Sequence, residues 1–187
     1  MFTLLVDPFI TGGDSSESGG ASNRFWGHFG AAMSFLVLLS AAALWVTGPH
    51  EMETVPFSLH IAINSYSLFF VMLLSVCLTL TLLASPRYIE EHGVSLGEYY
   101  AMVHFAGFGM MVLVAAESLL TLFIALEIMS LAIYVLAAFK RNSLASVEAG
   151  LKYLLMGAVG SAMILYGMAY LYGLSGGTTY VEIGRAL

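Results

Sequence analysis

Charged residues are scarce in this 187-residue chain. Only 10% of its residues are Asp, Glu, Lys or Arg, whereas soluble globular domains carry about 25%. The six Lys and Arg residues stand against twelve Asp and Glu residues, so the chain has no basic patch that would bind nucleic acid. Cys77 is the single cysteine, which excludes an internal disulfide and suggests no thiol-ligated metal site.

Apolar residues make up 59% of the chain. A transmembrane helix needs about 20 of them in a row. Lipid offers the backbone no hydrogen-bond partner, and no alternating strand pattern is present, so helices are expected. We predict an all-α integral membrane protein, a bundle of about five transmembrane helices, at residues 25–46, 65–84, 99–116, 119–139 and 150–172.

The segments outside this bundle, residues 1–24 and 173–187, are predicted as tails. Met1–Ile10 is apolar but too short to span a membrane, and no small-residue cleavage site follows it, which argues against a signal peptide. We interpret Met1–Ile10 as the end of a helix that begins before this chain, with a disordered terminus as the alternative. A Gly/Ser-rich loop is expected at Thr11–Asn23, and Pro86 is expected to end the second span.

The Lys and Arg residues test the order of the spans. Five alternating spans place five of the six at one side of the membrane, and only Arg185 at the other. The positive-inside rule makes the first side cytoplasmic. The five Lys and Arg residues on this side are Arg24, Arg87, Lys140, Arg141 and Lys152.

Glu127 is the most informative residue, because it lies near the middle of the fourth predicted span. A carboxylate at the bilayer centre costs about 2.5–3.5 kcal/mol, and such residues usually face a bundle interior or a water-filled path. Removal from water favours the neutral group, whereas a nearby cation favours the charged one. Glu127 is therefore a candidate proton carrier; the alternative is a hydrogen-bonded residue that only fixes helix packing.

Ser130 and Tyr134 follow Glu127 at i+3 and i+7, so we expect them on the same helix face. They could hold waters or hydrogen-bond the carboxylate, or they could join helices as polar packing residues.

Lys152, at the start of the fifth span, is a second candidate for a proton path. We expect it more than about 10 Å from Glu127 along the membrane normal, too far for a salt bridge. Glu148, one helical turn earlier, is the expected direct partner. The alternative role for Lys152 is snorkelling to the cytoplasmic interface.

His104 lies inside the third span, and Glu117 follows it. A histidine in a membrane helix can relay protons, but a packing role is the alternative for His104. Glu117 is expected in a solvated outer turn. The small residues of the fifth span are expected to permit close helix packing. They are Gly157, Gly160, Ser161, Ala162 and Gly167.

Two stretches carry a resemblance to a known family. They read GEYYAMVHFAGFGMMVLVAAESLLTLFIALEIMSLAIYVLAAF, from Gly97, and SVEAGLKYLLMGAVGSAMILYGMAYLYGLSGGT, from Ser146. The region from Gly97 to Tyr180 resembles subunit N of proton-pumping NADH-quinone oxidoreductase (respiratory complex I), an antiporter-like membrane subunit family. Subunits of multisubunit cation/proton antiporters are similar but differ in the surrounding amino-acid sequence.

The resemblance implies roles for particular residues. Glu127 matches the family's glutamate in the middle of its fifth helix, and Lys152 matches the lysine near the start of the sixth. The five spans would then be helices two to six. The family implies proton translocation coupled to quinone reduction, in the bacterial inner (plasma) membrane. It places NADH, flavin, iron–sulfur clusters and quinone in partner subunits, with no cofactor in this chain.

The chain also departs from the family, which has about fourteen helices. It lacks the family's broken helix with a central lysine, so we expect an N-terminal fragment or a second half on another chain. A non-transporting scaffold and a cation/proton antiporter subunit are the alternative functions.

Overall fold

The computed structural model describes residues 18–47, 60–92 and 96–187. These residues form six helices and no named strand. In chain order they are α1 (Ser18–Thr47), α2 (Ser65–His92), α3 (Leu96–Val114), α4 (Leu119–Ala137), α5 (Leu144–Ser175) and α6 (Tyr180–Ala186). The all-α membrane fold is therefore confirmed.

Four of the helices are long and apolar enough to cross a membrane. They are Trp26–Thr47, Ser65–Ile89, Leu119–Ala137 and Leu144–Ser175. The remaining long helix, α3, has 19 residues and a length of about 28 Å, close to the hydrocarbon thickness of about 30 Å. It contains Glu98 and His104, which lower its hydropathy, so its role as the third span stays a prediction.

Several predicted boundaries differ from the helices. α1 begins at Ser18, inside the predicted Gly/Ser-rich loop, and α5 begins at Leu144, six residues before the predicted span. The α1 extension is polar, whereas the α5 extension is largely apolar and contains the charged residue Glu148. Hydropathy marks the part of a helix that suits lipid, and it does not report where helical hydrogen bonding continues into the interface. The prediction for Met1–Ile10 lies outside the described residues.

The sequence predicted that Pro86 ends the second helix, and this prediction was wrong. α2 continues through Pro86 to His92. Proline removes one backbone donor and crowds the carbonyl four residues earlier, which favours but does not force a stop. Here Pro86 packs against α1, because a Cβ added at Gly27 would lie 2.6 Å from the Pro86 Cγ.

The helices pack largely in chain order, with α1, α2 and α3 around the main core. The buried core residues there are Trp26, Ala31, Leu82, Ile89, Tyr100 and Val103. α4 packs against α3, and a Cβ at Gly109 would lie 2.7 Å from the Met129 backbone nitrogen. α5 packs against α4 at the outside of this group. The α4–α5 interface is therefore separate from the main core.

Backbone hydrogen bonds join three segments at one end of the bundle. We call residues 60–62, 115–119 and 178–180 the end clamp. Its bonds run from Ala62 N to Ala115 O (2.8 Å), from Glu117 N to His60 O (2.9 Å), from Leu119 N to Thr178 O (2.9 Å) and from Tyr180 N to Glu117 O (3.1 Å). The end clamp fixes the α3–α4 turn and holds α6 against it.

A side-chain contact marks the opposite end. Arg141 Nη2 lies 2.7 Å from Glu98 Oε2, which joins the residues after α4 to the first turn of α3. The end clamp and this ion pair lie at opposite ends of α3 and α4, as an up-and-down arrangement requires.

Candidate functional site at the α4–α5 interface

Glu127 is the ninth of the 19 residues of α4. The helix starts at an N-cap, Ser118, whose hydroxyl accepts from the backbone nitrogen of Thr121. Ser118 is completely buried within the end clamp. The start of α4 is thus anchored, and this anchor sets the depth of Glu127 along the helix.

The Glu127 carboxylate is partly buried and has a partner on α5. Ser161 Oγ donates a hydrogen bond to Glu127 Oε1. Hydrogen bonds to ionised groups are about twice as strong as neutral ones. The sequence prediction treated Ser161 as a small packing residue, and so missed this contact.

An open groove of about 310 Å³ runs along the two helices at Glu127. Its walls are mainly apolar, and its polar side chains are Glu127, Tyr134 and Ser161. The lining residues are Phe123, Glu127, Leu131, Tyr134, Leu154, Ala158, Ser161, Ala162 and Leu165. Glu127 therefore borders both a neighbouring helix and an open space.

Tyr134 lies in the groove, as its spacing from Glu127 predicted, but Ser130 is not part of this lining. Successive helix residues are 100° apart. Tyr134 is therefore about 20° from Glu127 around the helix axis, and Ser130 is about 60° away. The α4 lining residues all lie within about 40° of Glu127 on this count, which explains why Ser130 falls outside.

Tyr134 also makes the closest approach to a glycine of α5. A Cβ added at Gly157 would overlap the Tyr134 hydroxyl group. The ring packs edge-on against Tyr153, with the centroids 4.9 Å apart. Gly157 thus lets α4 approach α5 close to the site, whereas Gly160 and Gly167 have no heavy atom within 4 Å of an added Cβ.

Lys152 is paired with Glu148, and the predicted partner is confirmed: Nζ lies 2.5 Å from Glu148 Oε1. Both side chains are well exposed, at 71% and 63%, so solvent or headgroups can reach them. Because α5 begins at Leu144, Lys152 is the ninth residue of its helix and not the second or third. It precedes Ser161 by nine residues, about 13.5 Å of helix, which agrees with its expected separation from Glu127.

His104 lies away from the groove, between α3 and α1. Its Nδ1 is 2.7 Å from the Tyr100 carbonyl oxygen, and its Nε2 is 3.3 Å from the Gly30 carbonyl oxygen. A neutral imidazole can donate from only one nitrogen. Both contacts are to backbone carbonyls, an arrangement that suits a residue joining two helices.

Two groups near the end clamp have altered acidities. The pKa of Glu182 is lowered, chiefly because the carboxylate accepts from the Thr179 backbone and side chain. The pKa of Tyr180 is raised, first by burial and then by the negative charge of Glu117. These electrostatic effects belong to the short helix α6 and not to the groove.

Comparison with known proteins gives the family. Residues 116–187, which include Glu127, Lys152 and Ser161, match the family described as NADH:quinone oxidoreductase/Mrp antiporter, TM. NADH-quinone oxidoreductase subunit N of Trichlorobacter lovleyi is 37% identical over 183 residues, 98% of this chain and 35% of the relative.

Two further relatives carry similar names. Subunit N of Moorella thermoacetica is 42% identical over 125 residues, 67% of this chain and 26% of the relative. Subunit N 1 of Acidiphilium cryptum is 41% identical over 156 residues, which are 83% of this chain and 32% of the relative. The chain spans about a third of the length of the curated relatives that it matches. With its multi-pass helical fold and these matches, the chain belongs to the transmembrane, antiporter-like family of NADH:quinone oxidoreductase subunit N.

Proposed function

We propose that this chain forms part of a membrane subunit that translocates protons in an NADH-quinone oxidoreductase. The observation that carries the proposal is the carboxylate of Glu127 beside an open groove in the middle of an apolar helix. The names of the relatives supply the coupled reaction.

Glu127 is proposed to hold and release a proton, or to act as an electrostatic switch. A central carboxylate costs about 2.5–3.5 kcal/mol in a membrane helix, which packing alone does not require. The groove offers about 310 Å³ beside it, space for several waters at about 30 Å³ each. Tyr134 adds a hydroxyl group to the same wall.

Lys152 is proposed to act nearer the cytoplasmic end of the path. Its ion pair with Glu148 is exposed, so it could exchange protons with the interface. Waters would have to bridge the remaining distance to Glu127. Roles for Ser130 and His104 have less support, because neither lines the groove.

The redox chemistry is assigned to partner subunits. NADH, flavin, iron–sulfur clusters and quinone would bind there, and this chain would contribute to the enzyme only as part of the complex. Its partners would be other membrane subunits, the lipid bilayer and protons.

We place the protein in the bacterial inner membrane, with the Lys140-Arg141 loop in the cytoplasm. Arg87, predicted in a loop, lies within α2, and we place this end of α2 on the same side. The Arg141–Glu98 ion pair supports a common end for the start of α3 and the end of α4. The positive-inside rule then assigns that end to the cytoplasm.

The test is the substitution Glu127→Gln in the assembled complex, reconstituted in vesicles. Proton release per NADH oxidised is the measurement, with assembly checked by subunit composition. Positioned proton-transfer groups contribute about 100-fold or more, so we expect transport through this subunit to be nearly lost. Glu98→Gln is the control, since this carboxylate is paired with Arg141 outside the groove, and we expect it to keep the wild-type ratio.

The outcomes separate the alternatives. A normal proton ratio in Glu127→Gln would contradict the proposal and favour a non-transporting scaffold. The family description also names Mrp antiporters. Proton movement that requires a sodium gradient, and not NADH oxidation, would favour a cation/proton antiporter subunit.

A further inference from the structure

We propose that Ser161 is a positioning residue for Glu127, holding one carboxylate oxygen against α5 so that proton exchange takes place at the other. This inference rests on the proposed function of Glu127. Its structural basis is the hydrogen bond from Ser161 Oγ to Glu127 Oε1, which joins α5 to α4.

The direction of the Ser161 hydroxyl group distinguishes it from other hydroxyl groups on the apolar helices. Many of those donate to the carbonyl of their own helix one turn earlier, a bond that needs no neighbour. The examples are Ser34 to Gly30, Ser75 to Val71, Thr79 to Ser75, Thr81 to Cys77 and Ser175 to Leu171. Ser161 donates instead to an acid on another helix.

The composition of the α5 wall gives this bond its importance. Of the α5 residues that line the groove, Ser161 is the one with a polar side chain. The others are Leu154, Ala158, Ala162 and Leu165. Without the hydroxyl group, the Glu127 carboxylate would face an apolar wall of α5, where an unpaired charge is costly.

A serine hydroxyl group can serve both protonation states of a carboxyl group. It donates to Oε1 of the ionised form, and when Oε2 carries the proton it can continue to donate to Oε1, which is then the carbonyl oxygen. Ser161 can therefore keep Glu127 in one side-chain conformation while the proton comes and goes. Glu127 Oε1 is occupied by this bond, which leaves Oε2 as the oxygen that binds and releases the proton.

The experiment compares three substitutions in the assembled complex in vesicles. Ser161→Ala removes the donor, and Ser161→Thr keeps it. Ser146→Ala is the matched control, because Ser146 Oγ also bonds from α5 to α4, to the Ala137 carbonyl oxygen at 3.0 Å, but does not touch Glu127. Both alanine variants remove one hydrogen bond between the same two helices.

We expect Ser161→Ala to lower the rate of coupled proton release about tenfold, the size expected for loss of one hydrogen bond to a charged group. Ser161→Thr should restore most of the rate, and Ser146→Ala should leave it near wild type. Equal losses in Ser161→Ala and Ser146→Ala would reduce Ser161 to a packing residue and overturn the inference.

Infrared difference spectra between acid and alkaline buffer provide a second measurement. A purely structural role for Ser161 would leave the carboxyl C=O band of Glu127 unchanged in these spectra. The carboxyl C=O band that disappears in Glu127→Gln belongs to Glu127. In Ser161→Ala this band should move to higher wavenumber, because the carbonyl oxygen loses a donor. An unmoved band would overturn the inference.

Failure of the inference can be told from failure of the proposed function. If Glu127→Gln abolishes transport but Ser161→Ala does not reduce it, only the positioning role is wrong. If Glu127→Gln transports normally, the proposed function fails, and the positioning role fails with it.

Discussion

At the residue scale, the contact between Tyr134 and Gly157 determines how closely α4 approaches α5 beside Glu127. The Tyr134 hydroxyl group occupies the space that a Cβ at Gly157 would take. The ring cannot swing away freely, because it packs edge-on against Tyr153 and is 9% exposed. The absence of a side chain at Gly157 is therefore a condition for the Glu127–Ser161 hydrogen bond.

We predict that Gly157→Ala destabilises the α4–α5 pair by about 1–3 kcal/mol, the usual cost of overpacking. The measurement is thermal unfolding of the purified complex. Gly160→Ala is the control, since an added Cβ there meets nothing within 4 Å. Adding Tyr134→Phe to Gly157→Ala removes the clashing oxygen and should recover part of the loss. Equal stability of the two alanine variants would contradict this steric argument.

At the element scale, α6 depends on a capping box. The Thr179 hydroxyl group accepts from the Glu182 backbone nitrogen, and the Glu182 carboxylate accepts from the Thr179 nitrogen at 3.1 Å. The same carboxylate accepts from the Thr178 nitrogen. Seven residues are too few to form a stable helix alone, so α6 depends on these bonds and on the end clamp.

We predict that α6 loosens in acid. The pKa of Glu182 in the folded chain is lowered below its unfolded value, first by the Thr179 backbone bond. The stabilisation is therefore complete above the unfolded pKa, and it is lost as the pH falls through the folded pKa. Hydrogen exchange at the Thr178 and Thr179 amides measures it. In Glu182→Gln this extra acid-dependent opening should be absent; an identical pH response in both proteins would contradict the assignment.

The helices were largely predictable from the sequence, because apolar runs of about 20 residues have few alternatives in lipid. Their ends were less predictable. The polar first turn of α1 is helical although hydropathy excludes it, and α5 begins before Glu148, the charge that limited the predicted span. α2 continues through Pro86, whose ring packs against Gly27. Such contacts between helices leave no mark in the hydropathy of either helix.

At the scale of the whole molecule, the candidate site was also only partly predictable, because it depends on contacts between helices. Glu127 stands out in the sequence because a charge in an apolar run is costly. Ser161 does not, because serine is common in membrane helices and its partner depends on how α5 lies against α4. Counted from the predicted ends, Glu127 and Ser161 lie at similar depths, about 18 Å and 16.5 Å at 1.5 Å per residue. Depth alone does not tell which face of α5 lies against α4, so it could not identify Ser161 as the partner.

Whether α3 crosses the membrane is the part of the overall arrangement that is still to be tested. Three helices, α2, α3 and α4, separate the start of α2 at Ser65 from Asn142, and both of these residues are exposed. If all three helices cross, the two residues lie on opposite sides; if α3 does not cross, they lie on the same side. α3 is about as long as the hydrocarbon layer is thick, and the end clamp and the Arg141–Glu98 pair lie at its two ends.

We therefore predict opposite labelling of Ser65→Cys and Asn142→Cys by a membrane-impermeant thiol reagent. Both are made in a Cys77→Ser background, which removes the single native cysteine and is itself the control for unspecific labelling. In inside-out vesicles Asn142→Cys should react, and Ser65→Cys should react only after the membrane is opened with detergent. Reaction of both without detergent, or of neither, would mean that α3 lies on the membrane surface. If neither reacts, α4 begins on the cytoplasmic side, which would also reverse the direction assigned to the groove at Glu127.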